Sequence, residues 1–154
     1  MKKGQITMEA LLLYGAAILV VLLAVAALIY FGVLDLGVFL PEKCSISGGV
    51  MSCEEYQVSS SGVISLVIQN RGTKSFDITS ATFEAKDVGL ANGCTASSLG
   101  GSIIPGATQQ IDINCATFNA ISGKKLSGKL LLTYQYSGGT LNNPAAGDLT
   151  ATVS

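Results

Sequence analysis

The hydrophobic residues of this chain are concentrated near its N-terminus, and the division falls near residue 40. No Asp, Glu, Lys, Arg or His occurs in residues 10–34. The apolar residues there follow no stripe, so a helix formed by them must be enclosed by lipid or by other apolar helices on every side. About 20 apolar residues suffice to cross the hydrocarbon core of a membrane. Residues 5–40 are therefore predicted to form one long hydrophobic α-helix.

After residue 40, apolar and polar positions alternate as they do in strands. Short segments of this kind, separated by Gly, Asn, Ser and Pro, are residues 63–69, 76–83, 110–115, 125–136 and 149–153. The last segment is expected to pair with residues 125–136 across a loop at 137–144. Such spacing is typical of an antiparallel β-sandwich of the immunoglobulin-like type. The predicted fold class is α+β, with the long N-terminal helix followed by this β-sandwich head.

Pro41 marks the predicted boundary between helix and head, because the residue before a proline is disfavoured in helical geometry. A helix over residues 6–40 would be roughly 50 Å long at about 1.5 Å per residue, so its last turns should extend beyond the membrane core. Lys2 and Lys3 precede the helix, and the charges after it carry no positive excess. The positive-inside bias then places residues 41–154 outside the cell.

The four cysteines, Cys44, Cys53, Cys94 and Cys115, all lie in the predicted head. An oxidising compartment outside the cell allows cysteines to pair. Of the three possible connectivities, Cys44 with Cys53 and Cys94 with Cys115 is the most local and is preferred. Free buried thiols and a metal site built from all four cysteines are the alternatives, although the lack of a Cys-x-x-Cys pair disfavours the metal.

The composition of the head offers no catalytic or metal-binding pattern. Histidine, the commonest general base and zinc ligand, is absent. Glu54 and Glu55 are adjacent, and adjacent side chains in a strand point to opposite faces, so both are interpreted as solvated charges. A formal net charge of −1 gives no case for a nucleic acid partner. No catalytic residue, metal or cofactor is predicted, and the chain is not expected to be an enzyme.

A short motif stands ahead of the hydrophobic stretch. Lys3-Gly4 is followed by Gln5-Ile6-Thr7-Met8-Glu9-Ala10-Leu11. This resembles the class III signal peptide of archaeal type IV pilin-like proteins, whose mature chain starts with Gln and has Glu at its fifth position. The resemblance implies a leader of residues 1–4, which a membrane prepilin peptidase removes between Gly4 and Gln5. It also implies a homopolymer built through the N-terminal helices, with the heads outside.

Glu9 has a physical meaning of its own. A carboxylate at the edge of an apolar helix is costly unless it finds a partner, which makes it a functional candidate. Cleavage before Gln5 would create an α-amino group one helical turn away, in the same chain or in a neighbouring one, and pairing between chains would fix the stagger of adjacent subunits. Alternatively, Glu9 lies in the headgroup region or favours the positive end of the helix dipole.

These features predict a structural subunit of an archaeal type IV-like pilus for adhesion or surface interaction. The precursor would reside in the cell membrane, and the pilus assembly machinery would move it into an extracellular filament. One alternative is a single-pass, membrane-anchored β-sandwich that acts as a binding or adhesion module and does not polymerise. Another is an archaellin-type filament subunit. An anchored enzyme ranks last.

Overall fold

The structure, a computed structural model, describes residues 3–31, 41–87 and 89–154. It contains two compact units, Met1–Phe39 and Leu40–Ser154. The described part of the first unit is one α-helix, and the second unit carries eight β-strands. The prediction of a hydrophobic N-terminal helix followed by an antiparallel β-domain, and with it the α+β class, is confirmed.

Helix α1 spans Lys3–Tyr30. Leu and Ala, which are strong helix formers, supply much of its sequence, and it contains no proline. Helical hydrogen bonding continues to Phe31, whose N–H donates to the carbonyl of Ala27 at 2.9 Å. At about 1.5 Å per residue, the helix is about 42 Å long. The predicted continuation through residue 40 lies outside the described residues.

The second unit, hereafter the head, is one eight-stranded sheet in which every ladder between neighbouring strands is antiparallel. In chain order the strands are β1 (Lys43–Ile46), β2 (Met51–Val58), β3 (Val63–Asn70), β4 (Phe76–Ala85), β5 (Ala91–Ser98), β6 (Thr108–Phe118), β7 (Lys125–Tyr136) and β8 (Asn142–Thr152). Their spatial order is β1-β8-β7-β4-β5-β6-β3-β2.

The sheet consists of two four-stranded halves. The ladder between β4 and β5 contains only the pairs Thr82 with Thr95 and Phe83 with Cys94, whereas β4 and β7 pair along most of their length. We call β1, β8, β7 and β4 the β7 half, and β5, β6, β3 and β2 the β3 half. Buried side chains from both halves form a single hydrophobic core.

The alternation predicted from the sequence places the correct side chains in this core. Ile64, Leu66 and Ile68 of β3 are fully buried, and so are Ile111 and Ile113 of β6. In β7 every second residue faces the core, and Leu131 is the exposed apolar exception on the other face. Burying one such aliphatic side chain contributes about 1.5 to 3 kcal/mol, so this inward row dominates the stability of the head.

The last strand is longer than predicted. β8 begins at Asn142, and its first three residues lie in the ladder with β7, although the sequence suggested a loop there. The pairing of β8 with β1 ends at Gly147. Pro144 therefore lies where β8 has a partner on one side only, and a missing N–H is tolerated at such an edge position.

Three strands, β1, β2 and β5, were not predicted because they are short or polar and lack aliphatic alternation. The expectation that the two carboxylates of β2 are solvated charges is confirmed, although the strand is irregular there. The register of β2 shifts between Cys53 and Glu55, which leaves a bulge at Glu54. Both Glu54 and Glu55 are exposed, so the two side chains do not alternate between a buried and a solvated face. A bulge inserts one extra residue and breaks the alternation locally.

The buried polar side chain of Asn70 connects two turns at the end of β3. Its amide nitrogen donates to the carbonyl of Ile103 at 2.7 Å and to that of Lys74 at 2.9 Å. Its side-chain oxygen accepts from the N–H of Gly72 at 2.8 Å. The side chain is fully buried, and removing the amide would break all three bonds, although the carbonyl of Ile103 would keep the N–H of Phe76 and the N–H of Gly72 would keep the carbonyl of Val50.

Asn70→Ala is expected to destabilise the head by about 1 to 3 kcal/mol, because it removes the three hydrogen bonds of a buried amide. Urea unfolding of the full chain in detergent, followed by circular dichroism, measures this cost. The matched control is Asn114→Ala, an exposed asparagine of β6, which should change stability by less than about 0.5 kcal/mol. Equal costs for the two variants would show that the Asn70 network contributes nothing specific.

Candidate assembly site

The apolar surface of α1 has no cover within the described part of the chain. Every residue from Thr7 to Phe31 is exposed, and the side chains of Leu13 and Tyr14 are 74% and 73% exposed. By length and composition, the segment Thr7–Tyr30 is able to cross a membrane. Together with two disulfides in the head, which are typical of an oxidising compartment, this helix indicates membrane anchoring or secretion.

Gly4, Gln5 and Glu9 follow one another along the first turns of α1. The peptide bond between Gly4 and Gln5 is part of helical backbone, so a peptidase would need the first turn to open, which costs little at a helix end. Glu9 follows Gln5 by four residues, and residues with this spacing lie on the same face of a helix. The side chain of Glu9 is exposed, and within the described residues it forms no ion pair.

A shallow apolar depression lies on α1 next to Glu9. It is lined by Met8, Leu11, Leu12, Gly15, Ala16 and Leu19. Nothing lies within 4 Å of the position that a Cβ on Gly15 would occupy. Small residues allow the backbones of two membrane helices to approach closely. The carboxylate and a place for close helix approach therefore adjoin each other.

A disulfide joins the two edge strands of the sheet. Cys44 of β1 and Cys53 of β2 are bonded, with their Cα atoms 5.8 Å apart. We call the two lines along which the halves meet seams, one between β1 and β2 and one between β4 and β5. Along the first seam, Val58 of β2 pairs with Val153 after β8, and the N–H of Ser154 donates to the carbonyl of Val58 at 2.8 Å. The disulfide and these backbone contacts therefore join the two halves at two separate positions along this seam.

The second disulfide lies at the other seam. Cys94 of β5 is bonded to Cys115 of β6, its direct partner in the ladder. Cys94 is also the residue that pairs with Phe83 of β4 in the two-pair ladder between the halves. The structure therefore has the connectivity that the sequence favours: one disulfide joins the two halves through β1 and β2, and the other lies within the β3 half, beside the ladder between β4 and β5. This placement could not be predicted from the sequence, because three of the strands involved, β1, β2 and β5, were not predicted.

The carboxylates of the β3 half are engaged by neighbouring side chains at the surface. Glu54 accepts from the hydroxyl of Ser52 at 2.6 Å and forms an ion pair with Arg71 at 3.2 Å, and these contacts lower the pKa of Glu54. Asp112 accepts from Gln110 at 3.0 Å and from Ser65 at 2.7 Å, which lowers the pKa of Asp112. Both groups remain ionised at neutral pH.

Surface clefts on the described part of the head include one on the outer face of β2 and β3, lined by Glu55, Tyr56 and Ser65 among others, and two at strand ends. One opens where β4 and β5 separate, and it is lined by residues 82–85 and 91–95. The other lies under the turn between β7 and β8, where Lys74 Nζ is 6.0 Å from the ring centre of Tyr136. In the described ranges, no three His, Cys, Asp or Glu side chains are grouped as they would be around a metal ion.

Comparison with known proteins adds no family, since no family model matches this chain and no curated protein matches it.

Removing the two disulfides one at a time is expected to increase amide hydrogen exchange in different strands. Cys44→Ser with Cys53→Ser should increase amide hydrogen exchange in β1, a four-residue strand paired on one side only. Cys94→Ser with Cys115→Ser should instead increase exchange in β5. The sequence separations are 9 and 21 residues, for which chain entropy predicts a cost of about 3 kcal/mol each. The same exchange pattern in both double variants would contradict the conclusion that the two disulfides stabilise different strands.

Proposed function

We propose that this protein is a structural, non-enzymatic subunit of an archaeal type IV-like pilus. Residues 1–4 are a leader that a membrane prepilin peptidase removes, so the mature chain starts at Gln5. The precursor is anchored in the cell membrane by α1. Many copies then assemble through their helices into an extracellular filament that carries the heads outside. The observation that supports this most is the uncovered apolar surface of α1 directly behind the motif from Gly4 to Glu9.

The surface of the helix accounts for the driving force of assembly. Each fully exposed aliphatic side chain costs about 1.5 to 3 kcal/mol in water relative to burial. In the membrane, lipid covers these side chains, and helices associate through close packing at small residues such as Gly15 and Ala16. Outside the membrane, only other copies of the helix can provide the cover. Assembly therefore exchanges lipid contacts for contacts between helices.

Cleavage couples processing to assembly through Glu9. In the precursor, the nitrogen of Gln5 belongs to a neutral peptide bond. After cleavage it becomes a positively charged α-amino group, which is a partner for the carboxylate in a low-dielectric environment where charge pairs interact strongly. A carboxylate left without a partner in an apolar bundle is costly. Only processed chains in the correct stagger satisfy Glu9 in a neighbouring helix.

We further propose that the head is immunoglobulin-like. When the strands from β2 to β8 are lettered A to G, the observed order is A-B-E-D in the β3 half and C-F-G in the β7 half. This is the strand order of the constant-type immunoglobulin sandwich, in which two antiparallel sheets share one core. β1 is an additional strand beside G. This order and the single core support the immunoglobulin-like assignment.

N-terminal sequencing of material sheared from the cell surface tests the proposed function directly. We expect fibrous material whose first residue is Gln5, because the leader is removed before assembly. Intact Met1 in detergent-extracted monomers, with no fibres, would instead identify a single-pass anchored module for binding or adhesion. Loss of swimming rather than of surface attachment on deletion of the gene would favour an archaellin-type subunit.

Glu9→Ala should reduce the yield of filaments at least about tenfold, since removing one partner of a buried charge pair costs about 3 to 5 kcal/mol. Membrane insertion should be unchanged, because the substitution makes the helix more apolar. Immunoblots of sheared filaments and of membranes measure the two quantities. Leu13→Ala, one turn further along the exposed helix, is the matched control that removes apolar contact but no charge. Normal filament yield from Glu9→Ala would remove Glu9 from the mechanism.

A further inference from the structure

One end of the head receives the chain from the N-terminal unit, and we call it the junction end. It carries the first residue of β1, Lys43, together with Ser154 and the turns at residues 59–62, 86–90 and 119–124. The opposite end, here the far end, carries the turns at 47–50, 71–75, 99–107 and 137–141. This division follows from the antiparallel ladders, because every strand runs from one end to the other.

Hydrogen bonds join the segments of the junction end into one continuous surface. The N–H of Asn119 donates to the carbonyl of Leu90 at 2.8 Å, which connects two of the turns. The N–H of Ser60 donates to the carbonyl of Ser154 at 2.9 Å, which connects the third turn to the C-terminal residue. The surface is therefore a defined part of the fold rather than a set of independent loops.

Positive charge is concentrated on this surface. Its cationic residues are Lys43, Lys86, Lys124 and Lys125, and its acidic residues are Glu42 and Asp87. Both acidic residues already accept hydrogen bonds, from the hydroxyl of Thr152 and from the N–H of Gly89 respectively.

The rest of the head has no such excess within its described residues. At the far end, Arg71 is paired with Glu54, and Lys74 shares its end with Asp77. In the middle of the β7 half, Lys129 stands opposite Glu84 on one side and opposite Asp148 on the other. The positive excess is thus specific to the junction end.

An exposed aliphatic side chain lies within this basic surface. Ile121 is 68% exposed, in the turn between β6 and β7. The carbonyl of Ile121 accepts from the N–H of Lys124 at 3.0 Å, so Ile121 and Lys124 belong to one turn. An apolar tip on a basic surface is the combination with which peripheral proteins bind anionic membrane surfaces.

We propose that, before assembly, the junction end of the head binds the anionic headgroups of the membrane in which its own helix is anchored. The inference rests on the proposed function, because it requires α1 to span that membrane. The lysines lie against lipid phosphates, and Ile121 inserts at the boundary between headgroups and acyl chains. The chain enters the head at the junction end, so the basic surface is tethered to the anchored helix and its effective concentration at the bilayer is high.

This contact has a consequence for assembly. A head bound to the membrane holds its helix in the bilayer until neighbouring subunits replace the lipid contacts. Electrostatic attraction to an anionic surface falls off within a Debye length of about 8 Å at physiological salt. The contact is therefore released once extraction lifts the head by about one nanometre.

The test uses a single tryptophan, since the chain contains none. Full-length Ile121→Trp is reconstituted at one copy per nanodisc in anionic or zwitterionic lipid. We expect blue-shifted emission and quenching by brominated lipids in anionic nanodiscs, and loss of both in zwitterionic nanodiscs or in about 1 M salt, where the Debye length is about 3 Å. Leu141→Trp is the matched control at the far end, where that side chain is 77% exposed, and it should show water-like emission throughout.

Charge reversal tests whether the lysines make the contact with the lipid headgroups. Lys43→Glu with Lys86→Glu, in the Ile121→Trp background, should reduce the ratio of membrane-bound to unbound heads at least about fivefold per residue. Each lysine near an anionic surface contributes roughly 1 kcal/mol. Lys74→Glu at the far end should have no effect. Water-like emission from the Ile121→Trp variant, in anionic nanodiscs that retain the chain, would overturn the proposal and leave the pilin function intact.

Two further results are decisive. A blue shift that appears only with several copies per nanodisc would show that the junction end binds another head rather than lipid, and it would overturn the proposal. Failure of the chain to remain with the nanodisc at all would instead refute membrane anchoring, and with it the proposed function.

Discussion

The structure depends on one constraint, which is that the apolar surface of α1 has no cover within the described part of its own chain. Helices of water-soluble domains bury one stripe and expose the rest, but here residues from Thr7 to Phe31 are exposed all round. Such a surface exists stably only in lipid or among copies of itself. The position of Glu9, the separation of the chain into two units and the oxidised cysteines of the head fit the subunit proposed above, which passes from the first environment to the second.

A different constraint acts on the head, because the edge strands of a small sheet separate easily. Exposed strand edges invite pairing with other chains, and that hazard is acute where many heads are held close together. Here β1 and β2, the outermost strands, are joined to each other by Cys44 and Cys53. At the opposite seam, the ladder between β4 and β5 is short, and Cys94 of that ladder is bonded to Cys115 of β6, which fixes β5 to the β3 half. One disulfide therefore joins the two halves at the outermost strands, and the other strengthens the β3 half beside the short ladder.

The sequence predicted those parts of the fold in which a strong periodicity coincides with burial. The apolar helix, and strands such as β3 and β7, follow from the pattern alone because their inward residues are large and aliphatic. The residues of β1 and β5 are small or polar, and these segments form strands only because neighbouring strands and disulfides hold them. The bulge at Glu54 depends on cross-strand register, which no local pattern reports. The basic surface of the junction end was missed for the same reason, because its lysines come from separate segments of the chain.

The position of Cys44 has a mechanical consequence for a filament subunit. If helices are fixed in a filament core, tension on a head passes through residues 41–43 into β1. A four-residue strand loaded at its end would peel from β8 one hydrogen bond at a time. Cys44 is the second residue of β1, so the bond to Cys53 transfers the load to β2 before β1 can separate. β2 is then pulled along its ladder with β3, which loads several hydrogen bonds together, and the short first strand bears little of the force.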